Sequence, residues 1–156
     1  SNSSAASDVY KRQVVHLVNN ARRKVYLSST YIDSRVVEAL IKAYRRGISV
    51  HILADIRKMK DAFELFKLAM SPLKFKQLMD FMKLIDLRHA AVPFSFILVD
   101  CSLVGFEIVN PLTPDSFYFG ILVDSEEIYD MFLKLFTDLK EMSEALEMEP
   151  SKATPL

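Results

Sequence analysis

"ARRKVYLSSTYIDSRVVEALIKAYRRGISVHILAD", residues 21–55, decides the architecture. Lys24 to Ser29 reads as a strand. Asp33 and Ser34 are short polar residues suited to cap a helix start, and Val36, Val37, Leu40, Ile41 and Tyr44 then recur at the spacing of one helical face. Gly47 follows Arg45 and Arg46, where the end of a helix favours a residue free to adopt left-handed backbone. Ile48 to Asp55 is a near-continuous apolar run, as in a strand covered on both faces. Strand, helix and strand in this order predict a parallel pair joined by a right-handed crossover. The class is α/β, with a mixed sheet flanked by helices in a single domain.

Working outward, Val14, Val15, Leu17 and Val18 mark a short helix up to Ala21. Residues 59–85 are rich in Met, Phe, Leu and Lys, and Ser71 with Pro72 forms a cap and first helical residue, so two helices are expected there. Their Met and Phe residues read as core. Strand candidates follow at 86–90, at 94–100 with a continuation through 102–108, and at 116–124. Pro111 and Pro114 mark the loop between the last two. A final helix is expected with Asp124 as cap and Glu127 as its capping-box partner. Ile128, Phe132, Leu135, Leu139, Met142 and Leu146 then form a seam, suited either to the helix's own sheet or to a homodimer.

Composition narrows the function classes. A chain of 156 residues with 51% hydrophobic content can bury one core. Its 20 basic and 20 acidic residues cancel, so its overall field gives no attraction to nucleic acid or anionic lipid. Cys101 is the single cysteine, which rules out an internal disulfide; within its apolar run it reads as a small buried hydrophobe. His16, His51 and His89 lie on separate segments without metal-pair spacing, so neither a metal nor another cofactor is expected. No apolar stretch is long enough for a membrane helix, and a soluble, cytoplasmic protein is expected. Residues 1–13 read as a tag, linker or sequencing-adapter scar, 14–148 as the domain, and 149–156 as a disordered tail.

"VPFSFILVDCSLVGFE", residues 92–107, has the outline of a phosphodiester-cleaving strand without its reactive groups. In the phospholipase D superfamily such a strand carries His-x-Lys-x-x-x-x-Asp. Alternation puts His and Lys on one face, so imidazole can attack phosphorus while ammonium neutralises the phosphate oxygens. With Asp100 laid on the motif's Asp, Pro93 stands in the His position and Ser95 in the Lys position. Gly105 and Asn110 trail at plausible distances. Residues 21–55 also resemble the first crossover of a phospholipase D-like domain. The order of 86–111, an aromatic strand and a long acidic-capped helix is similar to the effector region of archaeal TrmB-type transcriptional regulators.

That resemblance implies a phospholipase D-like fold with a small-molecule-sensing and dimerising role, DNA being bound by a winged helix-turn-helix absent from this chain. The expected ligand is a sugar or other small polar molecule, and no enzyme activity is expected. Candidate ligand-binding residues are Ser28, Thr30, Tyr31 and Asp33, beyond the carboxyl edge of the first strand, together with Arg88, Asp100 and Glu107. Ser28, Thr30 and Asp33 also suit ordinary strand, loop and capping roles, and Asp100 a turn. Arg88 suits a pair with Asp100 or an anionic ligand. Two other readings remain: a stand-alone interaction module, and a divergent phosphodiesterase that would have to use His89.

Overall fold

The computed structural model describes residues 2–145. Its element order is α1 (Asn2–Asn19), β1 (Lys24–Ser29), α2 (Ser34–Arg45), β2 (Ser49–Ala54), α3 (Ile56–Ala69), α4 (Pro72–Leu84), β3 (Asp86–His89), β4 (Phe96–Val99), β5 (Leu103–Asn110), β6 (Thr113–Asp124), α5 (Glu126–Glu141) and β7 (Glu144–Ala145). The strands form one seven-stranded sheet in the order β6-β5-β4-β1-β2-β3-β7. β1, β2 and β3 run parallel, and the remaining pairings are antiparallel.

The strand–helix–strand expectation holds in detail. The Asp33 carboxylate accepts from the backbone N–H of Arg35 and Val36 and opens α2, while Gly47 takes φ +92° beyond its end. β1 and β2 pair in parallel register from Lys24↔Ser49 to Ser29↔Ala54. Two helices cover the Met- and Phe-rich segment; Ser71 caps α4 at Lys74, with Pro72 in its first turn.

Alternation along the central strands divides the core in two. Val25, Ile97 and Val99 point to the face covered by α1, α2 and α4, against Val14, Val18, Leu40, Leu78 and Phe81. Phe96, Leu98 and Val104 point to the other face, against Tyr129, Phe136 and Leu139 of α5. All of β4 is buried, which explains its uninterrupted apolar run.

Several expectations change. α1 begins at Asn2 instead of Val14, and Tyr10, within the stretch read as a scar, is only 5% exposed. Its ring lies over Gly120 of β6, where the absence of a side chain admits it. The apolar run through 94–108 does not continue as one strand. It reverses at residues 100–102, with Asp100 at φ +61°, so Val99 pairs with Leu103 and Cys101 lies exposed in the turn. Asn110 pairs with Thr113, so the loop expected from Pro111 to Pro114 is a tight hairpin with a register shift. Ser125, not Asp124, caps α5, because Asp124 still belongs to β6; the Ser125 hydroxyl accepts from the backbone N–H of Ile128.

On the expected dimer seam, Leu139 is buried, and Ile128, Phe132 and Leu135 are partly buried and pack against the core beneath α5. Met142 is exposed, and Leu146 lies outside the described residues.

Candidate functional site

The face of the sheet beneath α2, α3 and α4 holds a cavity of about 330 Å³. Leu27, Ile52, Leu87 and Ile97 form its floor, and Val36, Leu40, Met59, Phe63, Phe81 and Met82 form its helical walls. These elements meet there because β1, β2 and β3 run parallel, so their carboxyl ends and the helices after them gather at one edge.

Polar groups collect at one end. Tyr31, just past β1, donates its phenolic hydrogen to Oε1 of Glu107 on β5. Glu107 is 5% exposed. Burial pushes its carboxyl above the ordinary value; the Tyr31 bond and nearby Lys11 act in the opposite direction, and Asp33 adds to the rise. Burial also pushes the Tyr31 phenol up, with Glu107 adding to it.

Ser95 joins the cluster from the position just before β4. Its Oγ accepts from the Thr30 backbone N–H at 3.0 Å and lies 3.1 Å from Thr30 Oγ1. Its carbonyl accepts from the Glu107 N–H at 3.0 Å. Asp33 also lines the cavity, 3.2 Å from Arg35 and 3.9 Å from Lys11. Its burial raises the carboxyl's pKa, but the Arg35 guanidinium and the helix-start N–H groups outweigh this and hold it below the ordinary carboxylate range. The Lys11 ammonium lies 4.7 Å from the centre of the Tyr31 ring.

Of the expected ligand residues, Tyr31, Asp33 and Glu107 meet at the cavity, and Thr30 supports it through Ser95. Ser28 does not. It is fully buried on the α5 face, where its hydroxyl donates to the Phe94 carbonyl, because neighbouring strand residues point to opposite faces. Arg88 also points to that face, and its Nε donates to Ser143 Oγ at 2.5 Å, beyond the end of α5.

Asp100 lies at the opposite end of β1, where its carboxylate accepts backbone N–H bonds from Arg22, Arg23 and Lys24 at 2.8–3.2 Å. Burial raises its pKa, yet those bonds outweigh it and hold it below the ordinary range. It makes no pair with Arg88. The acid of the motif outline and the Ser95 position are thus separated by the length of β1.

Each histidine has a local partner. His16 lies beside Asn20, His51 stacks on Tyr26 and meets Asp86 at 3.0 Å, and His89 Nδ1 accepts from the Ile56 backbone N–H. Among the described residues, no group of three or more His, Cys, Asp or Glu side chains is placed to hold a metal. No helix among them is long and apolar enough to cross a membrane.

Sequence reasoning missed Tyr10, Lys11 and the apolar lining. Tyr10, Val14 and Val18 do recur every four residues, so a helical face was already legible there. Ser95 drew attention only as the occupant of a lost lysine position.

No protein-family model matches the chain, and no curated protein matches it. Solved structures do. TrmBL2, described as an archaeal chromatin protein with a novel mode of DNA binding, superposes with a TM-score of 0.65 at 16% identity over 88% of this chain. The match spans 50% of TrmBL2, so this chain corresponds to about half of that protein. Nuc from Salmonella typhimurium, a phospholipase D family member, gives a TM-score of 0.63 at 17% identity, covering 88% of this chain and 90% of Nuc. NucT from Helicobacter pylori gives 0.63 at 12% identity, covering 89% and 92%. Similarity at this level is one of fold. The chain therefore has a phospholipase D-like fold, one shared by Nuc, by NucT and by about half of the archaeal chromatin protein TrmBL2.

Proposed function

We propose that this chain is a non-catalytic ligand-binding domain of a TrmB-like regulator, in which DNA is contacted by a separate domain. The observation that carries this reading is the cavity of about 330 Å³ with a polar cluster at one end. That volume lies at the lower end of the range for small-molecule sites, and an apolar wall with a few convergent polar groups is their usual composition.

The residues at the reacting positions of the phospholipase D motif support a binding role over a cleaving one. Pro93 has no nucleophile, and the Ser95 hydroxyl is engaged with Thr30. His89 is held through Nδ1 between the Ile56 N–H and the Ala54 carbonyl, and the residue two places on is Ala91, not a lysine. The polar end of the cavity lies beside Ser95, where the motif's lysine would stand; the cation there is Lys11 of α1, which is already engaged with Asp33 and the Tyr31 ring.

Thermal unfolding in the presence of sugars, phosphorylated metabolites and amphipathic small molecules tests the reading. A ligand at 100 times its dissociation constant adds about 2.7 kcal/mol to the native state. A panel with no stabilising member would remove the support. Turnover of a chromogenic phosphodiester that disappears in His89→Ala would replace the reading with an enzymatic one.

A further inference from the structure

The cavity narrows the class of ligand, and this step rests on the ligand-binding reading above. We propose that it takes a lipophilic cation: an alkyl or aryl body in the apolar recess, carrying an amine or quaternary ammonium head against Glu107.

The body follows from the walls. Leu27, Ile52, Met59, Leu78, Phe81 and Met82 present no group able to hydrogen-bond a sugar ring, and polar hydroxyls placed among them would lose water without replacement. Flexible methionines on α3 and α4 suit hydrocarbon of varied shape.

The sign of the head follows from the carboxylates. Asp33 is matched by Arg35 and Lys11. Asp8, Asp55 and Asp86 also have cations within ion-pair distance. Glu107 has none among the described residues, although it is 5% exposed, and its side chain takes its hydrogen bond from neutral Tyr31. An anionic head would meet Glu107 and Asp33 together. A neutral head would leave the buried carboxylate with no counter-charge nearer than Lys11, which stands beyond ion-pair distance and is shared with Asp33. A cation supplies it where water is scarce and the attraction is strong. Tyr31 adds an aromatic platform beside the carboxylate, and its face already attracts the Lys11 ammonium.

The test uses the full chain with ¹³C-labelled methionine methyls and three probes of one chain length: octyltrimethylammonium, octan-1-ol and octanoate, each below its micelle-forming concentration. The proposal expects the ammonium to shift Met59, Met79 and Met82, which line the cavity, and to leave exposed Met131 and Met142 in place. Octanoate should shift none of them. Glu107→Gln should weaken the ammonium by about tenfold or more and leave octan-1-ol unchanged.

Equal or stronger binding of octan-1-ol or octanoate at the cavity methyls overturns the cation class and keeps the ligand-binding reading. Silence at all three methyls with every probe overturns both. Shifts confined to Met131 and Met142 mean surface adsorption and overturn both as well. If Glu107→Gln does not fold, the ranking of the three heads in the unaltered chain decides the matter.

Discussion

Tyr31 and Glu107 are 76 positions apart in the chain, and the phenol of one donates to the carboxylate of the other at the polar end of the cavity. β1 ends just before Tyr31, and β4 holds β5 beside it, so the sheet order creates this contact. Removing the donor leaves a buried acid without its hydrogen bond. Tyr31→Phe is expected to destabilise the fold by about 1–3 kcal/mol in urea unfolding. In a double-mutant cycle with Glu107→Gln, the coupling should fall within about 0.5–3 kcal/mol. Strict additivity would mean the two groups act independently.

Glu107 also predicts a pH dependence of definite sign. Its folded pKa lies above the ordinary 4.5, so the native state holds this proton more tightly than the unfolded chain does. Its contribution to stability is complete below 4.5 and is lost as pH rises through the folded value. Wild-type protein should therefore lose stability relative to Glu107→Gln as pH is raised from 4.5 towards neutrality. A difference that stays flat, or slopes the other way, contradicts the burial argument.

Asp100 behaves oppositely. Its folded pKa is below 3.8, so its contribution is present above that value and is lost as pH falls through the folded one. Asp100→Ala removes the acceptor of three backbone N–H groups and puts alanine at φ +61°. The expected loss is about 1.5–3 kcal/mol or more at neutral pH. Octyltrimethylammonium binding should persist, because the residue lies at the far end of β1 from the cavity. Loss of binding in a folded Asp100→Ala protein would place the residue back at the site.

Tyr10 tests whether the first helix belongs to the domain. Its buried ring fills the space above Gly120, where an added Cβ would come within 2.2 Å of it. Tyr10→Ala is expected to cost about 3–5 kcal/mol, and Gly120→Ala about 1–3 kcal/mol through overpacking. Combining the two should cost less than their sum, since alanine at position 120 then enters vacated space. Equal stability of wild type and Tyr10→Ala would detach that helix from the core.

The sequence by itself determined the local vocabulary. The 3.6-residue period, the Asp33 and Ser71 caps and the apolar runs of β1, β2 and β4 depend on neighbours a few positions apart, and they placed the crossover and the paired helices correctly. Motif spacing likewise exposed the missing His and Lys at Pro93 and Ser95.

Tertiary structure alone decided which residues meet. The reversal at Asp100 rests on a left-handed backbone that a non-glycine residue does not announce, and the pairing of β4 along β1 holds Ser95 and Asp100 at opposite ends of β1. Ser28 and Ser29 look alike in sequence, yet a single step along a strand puts one under α5 and the other beside the cavity. Tyr10, Tyr31 and Glu107 became neighbours through strand order and register. Those are properties of the whole packed sheet, in which each side chain's environment is fixed by segments distant along the chain.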